Sequence, residues 1–284
     1  MPGVSFDRAA EYYDETRGYA AGSAERVRDA IVAYVGAGQQ TRFLELGVGT
    51  GRIAVPFIRA GYDYTGVDIS QAMMDRLAAK LADDPAASGH RYELREADIT
   101  ALPFDDAAFD AIIIVHVLHL VHDWQAAVRE AKRVLRPGGW LLIGRDDGPE
   151  ATDVAAEALP APVRTRMKWI EIRRELGLEQ ATAGSKLVGL DERLIPYIQE
   201  LGARAEKVRL AEIERPAVTP RAMAERVKAR LYSADWQTPD DLHDEAARRM
   251  DEWFAREIAA PDEPATIPGS FSAITATWPA AAPA

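Results

Sequence analysis

The sequence of 284 residues contains no cysteine. Disulfides, thiolate metal ligands and a cysteine nucleophile are therefore excluded, and since this composition fits a reducing compartment we expect a cytoplasmic protein. Long apolar runs are absent too, because the longest, residues 111–121, is interrupted by His116 and His119 and is far shorter than the roughly 20 residues of a membrane span. The first residues show no basic stretch leading into an apolar run, so no secretory signal is expected.

Basic residues are outnumbered by acidic ones. The chain has 34 Lys and Arg against 45 Asp and Glu, which gives a formal net charge of −11. A polyanion would meet net repulsion, which disfavours binding along the backbone of DNA or RNA. Hydrophobic residues at 48% and charged residues at 28% are ordinary for a globular protein, and the length suits one α/β domain with additions.

Short apolar runs alternate with helical patterns between residues 41 and 145. This alternation predicts a parallel sheet with crossover helices. Helices begin near Arg52, Ser70 and Asp123. Five predicted strands cover residues 42–46, 64–68, 92–98, 110–116 and 140–145, and two further strand-like pieces cover residues 205–214 and 271–278.

Two long amphipathic helices are predicted after this region. Residues 161–178 and 242–253 place apolar side chains at helical spacing. We expect both helices to fold over the carboxyl edge of the sheet as a cap, because neither has enough regular structure to close a core of its own.

Three alternate glycines stand between the first predicted strand and the first of these crossover helices. They are Gly47, Gly49 and Gly51. Glycine is needed where the chain reverses tightly and the backbone comes close to a ligand, and the start of the following helix favours an anionic or polar group. A dinucleotide-binding G-x-G-x-x-G pattern would need a small residue at the position of Arg52.

The run from Glu45 to Gly51, E-x-G-x-G-x-G, resembles motif I of class I S-adenosylmethionine-dependent methyltransferases. Residues 96–99, 109–114 and 130–141 resemble later motifs of that family in the same order. Residues 6–17 look like the leader helix of its small-molecule, quinone-biosynthesis-like group (methyltransferase types 11 and 25). The resemblance implies a Rossmann-like α/β fold: a seven-stranded, mostly parallel sheet with helices on both faces and helical cap insertions.

The same resemblance implies S-adenosylmethionine as the cofactor and S-adenosylhomocysteine as its product. Asp68, about twenty residues after the glycines, would accept hydrogen bonds from two ribose hydroxyls. Asp98 would take the adenine amino group, and Met73 would pack on adenine, although core packing explains Met73 equally well. Tyr13 would place its ring near the sulfonium, or would simply pack. The full set of cofactor-binding residues implied is Tyr13, Glu45, Gly47, Gly49, Gly51, Asp68, Ile69, Met73, Asp98, Ile99 and Val115.

The implied reaction is direct in-line methyl transfer to a small-molecule acceptor, without a metal ion. His116 and His119 are the candidate catalytic residues, because a histidine titrates near neutrality and His116 ends the fourth predicted strand. Alternatively, His116 only lines the pocket and His119 is an ordinary helix residue. Two other functions stay open: an NAD(P)-dependent oxidoreductase, and a non-catalytic protein that binds S-adenosylmethionine.

The predicted organisation has four regions. Lid helices occupy residues 1–40 and the cofactor-binding core occupies residues 41–150. The remainder of the sheet, with the helical cap for the acceptor, occupies residues 151–278, and a tail follows at residues 279–284. The expected partner is the small-molecule acceptor, and neither nucleic acid nor a membrane is expected.

Overall fold

A computed structural model describes residues 13–149, 155, 158–178 and 190–279. Most of the predicted leader, before residue 13, and most of the predicted tail, from residue 280, lie outside the described residues. The chain divides into two compact units. The first comprises Met1–Asp146, Gly189–Ile213 and Ser270–Ala284, and the second comprises Asp147–Val188 and Glu214–Gly269.

The first unit carries a seven-stranded sheet with the strand order β3-β2-β1-β4-β5-β7-β6. The strands are β1 (Arg42–Leu46), β2 (Asp63–Asp68), β3 (Tyr92–Glu96), β4 (Phe109–Val115), β5 (Leu135–Asp147), β6 (Arg204–Val218) and β7 (Ala265–Thr277), of which β6 and β7 run on into the second unit. Its helices are α1 (Tyr13–Arg17), α2 (Ser23–Val35), α3 (Ala54–Arg59), α4 (Gln71–Ala82), α5 (Trp124–Val134) and α7 (Leu190–Glu200).

Parallel pairing brings several strand ends to one edge of the sheet. β1 pairs in parallel with β2 and β4, and Leu46 near its end lies opposite Val67 and Ile114. Residues Ile112 to Ile114 of β4 are fully buried, as a continuous β-branched run predicts for a strand covered on both faces. The predicted seven-stranded, mostly parallel sheet is confirmed.

Strand boundaries differ from the prediction at several places, including the end of β6 at Val218 and the start of β7 at Ala265. β3 ends at Glu96, so Asp98 lies in the loop that follows. β5 begins at Leu135 rather than at Trp140, so that Gly138 and Gly139 lie inside the strand. Phe109 pairs with Leu135, whereas Ala111, two residues further along β4, pairs with Trp140. A register shift between these pairs accommodates the additional residues of β5 before Trp140.

The described residues of the second unit form three α-helices, α6 (Ala161–Glu175), α8 (Pro220–Lys228) and α9 (Asp240–Glu257). The expectation that its helices have no core of their own is wrong, because α8, which the sequence analysis did not single out, completes a buried cluster with the other two. The placement of these helices over the sheet edge stays a prediction. The fully or almost fully buried members of the cluster include Trp169, Ile172, Met223, Val227, Ala246 and Met250.

Within residues 13–149, 158–178 and 190–279, no helix is both long enough and apolar enough to cross a membrane.

Candidate cofactor-binding site

The glycine turn follows β1 directly and is bonded to β2. The N–H groups of Gly47 and Val48 donate to the carbonyl oxygen of Val67 at 2.7 and 2.9 Å. Gly47, Gly49 and Gly51 have φ angles of +78°, +53° and +84°, which L side chains rarely adopt. The turn therefore needs glycine for its backbone conformation, as the sequence predicts.

The three glycines differ in what surrounds them. A Cβ on Gly47 would lie 2.2 Å from a methyl carbon of Val117, and one on Gly51 would lie 2.3 Å from a methyl carbon of Leu77. A Cβ on Gly49 would have no neighbour closer than 3.4 Å. Packing therefore excludes a side chain at Gly47 and Gly51, whereas at Gly49 a side chain would take up space in the pocket that this turn borders.

That pocket lies beside the carboxyl ends of β1 and β4. It contains four of the predicted cofactor-binding residues and adds four that were not predicted, so the sequence-based set is brought together only in part. The lining residues are Glu45, Gly47, Val48, Gly49, Thr50, Arg52, Ile53 and Val115.

Asp68 connects the glycine turn to the start of α4. Its Oδ2 accepts a hydrogen bond from the Gly49 N–H at 2.8 Å, and its Oδ1 accepts one from the Ser70 N–H at 2.9 Å. A carboxylate oxygen can accept more than one hydrogen bond. Asp68 thus links the Gly49 N–H of the turn to the Ser70 N–H at the start of α4.

An apolar side chain beside Asp68 faces solvent. Ile69 is 42% exposed, which is unusual for isoleucine, whereas Met73 on α4 is 3% exposed. The burial of Met73 agrees with both interpretations, since its terminal methyl lies 3.4 Å from the position of a Cβ on Gly49, and Ile69 offers the accessible apolar surface. The contact of either residue with a cofactor stays a prediction.

The loop after β3 holds the other predicted adenine contacts. Asp98 is exposed, and its Oδ1 accepts hydrogen bonds from the N–H and the hydroxyl of Thr100, both at 2.8 Å. Ile99 is 5% exposed. Neither lines the pocket that contains Glu45 and Gly49, so their role stays a prediction.

Glu45 is a buried carboxyl group in the pocket wall, with 2% of the residue exposed. Burial raises the pKa of Glu45 to about 8. A hydrogen bond from the Tyr64 hydroxyl and the charge of Arg52 lower this pKa, whereas the charge of Asp68 raises it. The Tyr64 hydroxyl donates to Oε2 at 2.8 Å. At neutral pH the Glu45 side chain is mostly protonated, so it can donate a hydrogen bond as well as accept one.

His116 follows β4 with φ +57°, a conformation uncommon for residues other than glycine and often found at functional sites. Its Nε2 accepts a hydrogen bond from the backbone N–H of Asp146 at 3.1 Å. This bond corresponds to a neutral ring with its proton on Nδ1, whereas Asp146 Oδ2, 3.5 Å from the same Nε2, would stabilise a proton on Nε2. Burial lowers the His116 pKa, while the Asp146 carboxylate opposes this effect.

This tautomer bears on the predicted catalytic role of His116. Proton uptake at Nε2 would require the bond to the Asp146 backbone to break, so the geometry favours donation from Nδ1 over general-base catalysis. His119 lies half-buried in a short 3₁₀ helix, Leu118–Leu120. Catalysis by either histidine stays a prediction.

A buried polar cluster beside the pocket was missed by the sequence analysis. Asp146 near the end of β5 has only 1% of its side chain exposed, and its carboxylate lies 2.7 Å from Arg52 Nη1 and 2.5 Å from the Tyr19 hydroxyl. An acid near the end of a strand at this edge, as at Asp68, is the signal that could have pointed to it. Arg52 entered the sequence analysis only as a mismatch to the dinucleotide pattern.

The predictions that remain are a contact of Tyr13 with the cofactor and a reaction without a metal ion. Tyr13 is the first residue of α1, and its side chain lies outside the described part of the chain. Within residues 13–149, 158–178 and 190–279, no group of three or more His, Asp or Glu side chains is placed to hold a metal ion.

Comparison with known proteins bears on this geometry. The profile of a family described as a methyltransferase domain matches residues 44–143. A demethylmenaquinone methyltransferase from Renibacterium salmoninarum is 33% identical over 164 residues, which are 55% of this chain and 66% of that protein. A phosphatidylethanolamine N-methyltransferase from Cereibacter sphaeroides is 31% identical over 170 residues, which are 57% of this chain and 77% of that protein. The chain belongs to the S-adenosylmethionine-dependent methyltransferase family.

The fold of this chain is similar to that of a protein of known structure. The YcgJ protein from Bacillus subtilis has a TM-score of 0.56 at 17% identity, with 90% of this chain and 99% of that chain covered. The family's cofactor is S-adenosylmethionine, and the site fits it. The space beside Gly49 and the carboxylate of Asp68 lie next to each other at the carboxyl edge of the sheet, where open α/β sheets bind ligands.

Proposed function

We propose that this protein transfers a methyl group from S-adenosylmethionine to a small-molecule acceptor. The observation that carries the proposal is the hydrogen bond between Asp68 Oδ2 and the Gly49 N–H. It joins a carboxylate at the end of β2 to the glycine of the turn whose missing side chain leaves space in the pocket. A plain βα turn needs glycine for its backbone, but it needs neither this space nor this acid.

The chain's own residues would bind the cofactor through three kinds of contact. Asp68 would accept the ribose hydroxyls, because its carboxylate lies at the glycine turn, where it accepts hydrogen bonds from the N–H groups of Gly49 and Ser70. Ile69 would cover the adenine ring with its exposed side chain. Glu45, protonated at neutral pH, would offer the pocket a donor without adding a second negative charge.

The bound cofactor supplies an activated methyl group, so the protein has to align an acceptor and exclude water. His116 would present its Nδ1–H as a hydrogen-bond donor for an acceptor atom, since its Nε2 is held by the Asp146 backbone. This positioning role needs no proton transfer to the protein.

The acceptor is proposed only as a small molecule. The two relatives are named for demethylmenaquinone and for phosphatidylethanolamine, which differ chemically, so neither acceptor is transferred to this chain. The formal charge of −11 supports the absence of a nucleic acid partner. A cytoplasmic location stays a prediction from the absence of cysteine.

Calorimetric titration with S-adenosylmethionine, S-adenosylhomocysteine and NAD tests this function. Wild type should bind both adenosyl ligands and ignore NAD. Asp68→Ala should weaken adenosyl binding at least about tenfold, because hydrogen bonds to a charged acceptor contribute roughly 1.5–3 kcal/mol each. Asp75→Ala, which changes an exposed acid on α4, is the matched control and should bind like wild type.

Two results would refute the assignment. One is a wild type that binds NAD instead of the adenosyl ligands, which would favour the oxidoreductase. The other is an Asp68→Ala variant whose S-adenosylhomocysteine affinity stays within about a factor of two of wild type. A protein that binds the cofactor but consumes none of it with any fraction of a small-molecule extract would be the non-catalytic alternative.

A further inference from the structure

Arg52 joins separate segments of the chain beside the cofactor pocket. Its side chain is only 13% exposed although it lines the pocket. Nη1 donates to the Arg17 carbonyl oxygen at 3.0 Å and to Asp146 Oδ2 at 2.7 Å. The guanidinium also lies over the Tyr19 ring, 4.6 Å from its centroid. One side chain therefore holds the segment after α1 to the end of β5.

Asp146 completes this arrangement as the counter-charge. Its Oδ1 accepts a hydrogen bond from the Tyr19 hydroxyl at 2.5 Å while its Oδ2 takes Arg52. Removing two charges from water is costly, so a buried pair of this kind adds little stability compared with apolar packing. What the pair adds is geometry, because a planar guanidinium fixes its partners in direction as well as in distance.

The same N-terminal segment is attached to the glycine turn at a second point. The Thr50 hydroxyl donates to Asp14 Oδ1 at 2.6 Å, and Lys80 Nζ lies 2.5 Å from Asp14 Oδ2. Thr50, like Arg52, lines the pocket. Residues 14–19 are therefore held at both ends by residues of the pocket wall.

We propose that Arg52 is a positioning residue that holds residues 14–19 against the cofactor pocket, so that the cofactor leaves only after the bonds of Arg52 to this segment break. This inference rests on the proposed function, since it takes S-adenosylmethionine as the ligand. It assigns Arg52 a part in cofactor retention and not in the methyl transfer itself.

The dissociation rate of S-adenosylhomocysteine, measured by stopped flow or surface plasmon resonance, tests this role. Arg52→Met should release the ligand at least about tenfold faster, with a smaller change in the association rate, because the segment no longer has to be displaced. Arg52→Lys should be intermediate, since an ammonium keeps the charge but loses the planar contact with Tyr19. Arg59→Met is the matched control, because Arg59 ends helix α3, which begins two residues after Arg52, and it is exposed and pairs with Asp84.

A second variant separates cofactor retention from folding. Arg52→Met leaves the Asp146 carboxylate buried without its counter-charge, which is destabilising in itself. The double variant Arg52→Met/Asp146→Asn removes both charges and should still release S-adenosylhomocysteine faster than wild type and Arg59→Met.

The outcomes distinguish this inference from the proposed function. Suppose that Arg52→Met and the double variant lower the thermal midpoint but release S-adenosylhomocysteine at the wild-type rate. Arg52 then has a structural role only, and the inference is wrong. If wild type does not bind S-adenosylhomocysteine at all, the proposed function itself fails and the inference fails with it. If Arg52→Met and the double variant release S-adenosylhomocysteine faster, while Arg59→Met releases it at the wild-type rate, the inference about Arg52 is supported.

Discussion

The buried carboxyl group of Glu45 makes the stability of the first unit depend on pH. Burial raises its pKa to about 8 from an ordinary value of 4.5. Between these two values the folded protein keeps a proton that the unfolded chain releases. The free energy of unfolding therefore falls as pH rises through this window, by at most about 1.4 kcal/mol per pH unit. The contribution of Glu45 to stability is complete below pH 4.5 and is lost as pH approaches 8.

The expected loss from pH 5 to pH 7 is about 2–3 kcal/mol, because most of this interval lies inside the window. Glu45→Gln should remove this dependence, since the amide stays neutral at every pH and its oxygen can still accept the Tyr64 hydroxyl. The free energy of unfolding of Glu45→Gln, measured relative to that of wild type, should therefore be higher at pH 7 than at pH 5.

Urea unfolding of the cofactor-free protein at pH 5, 6 and 7, followed by circular dichroism, measures the effect. Glu96→Gln, the same substitution at an exposed position at the end of β3, should keep the wild-type slope. If wild type and Glu45→Gln lose stability in parallel between pH 5 and pH 7, Glu45 is ionised in the folded protein and the argument from burial is wrong.

The remaining predictions concern His116 and the glycine turn. His116→Asn should keep methyl transfer within about fivefold of wild type, because Asn tolerates a positive φ and its amide can replace the Nδ1–H donor; a loss as large as that of His116→Ala would instead favour the general base. Gly51→Ala should destabilise the protein by about 1–3 kcal/mol in urea unfolding, because its Cβ would meet the buried Leu77. Gly49→Ala should mainly weaken S-adenosylhomocysteine binding, as measured by calorimetry, and equal effects of the two glycine variants on stability and on affinity would contradict the distinction between them.

The parts of the fold that the sequence predicts are those with local patterns. The strand that ends at Leu46, the glycine turn after it and the acid at Asp68 follow one another within a short stretch, and each has its own physical reason. The continuous apolar run at Ile112 to Ile114 identified a strand buried on both faces. The boundary of β5 was missed because a register shift depends on the partner strand, which the sequence does not specify.

The cluster around Asp146 could not be predicted in the same way. Tyr19, Arg52 and Asp146 are far apart in the chain and meet only because β1 and β5 flank β4 in the sheet. The tautomer of His116 depends on a backbone N–H of the neighbouring strand, which leaves no trace in residue type. For Met73 the helical spacing was compatible with two roles, and its burial agrees with both.

Three of the acids at the carboxyl edge of the sheet, Glu45, Asp68 and Asp146, lie in or next to the pocket of the glycine turn, and the structure compensates each of them differently. Glu45 is mostly protonated at neutral pH because it is buried, and Asp146 is paired with Arg52. Asp68 is half-buried and accepts hydrogen bonds from two backbone N–H groups, the kind of bond that favours a charged carboxylate. Of the three, Asp68 is the acid that bonds the glycine turn directly, through the Gly49 N–H, which is why the proposed cofactor-binding role falls to it. This division of roles explains why substitution of Asp68 should change ligand affinity, whereas substitution of Glu45 should change the pH dependence of stability.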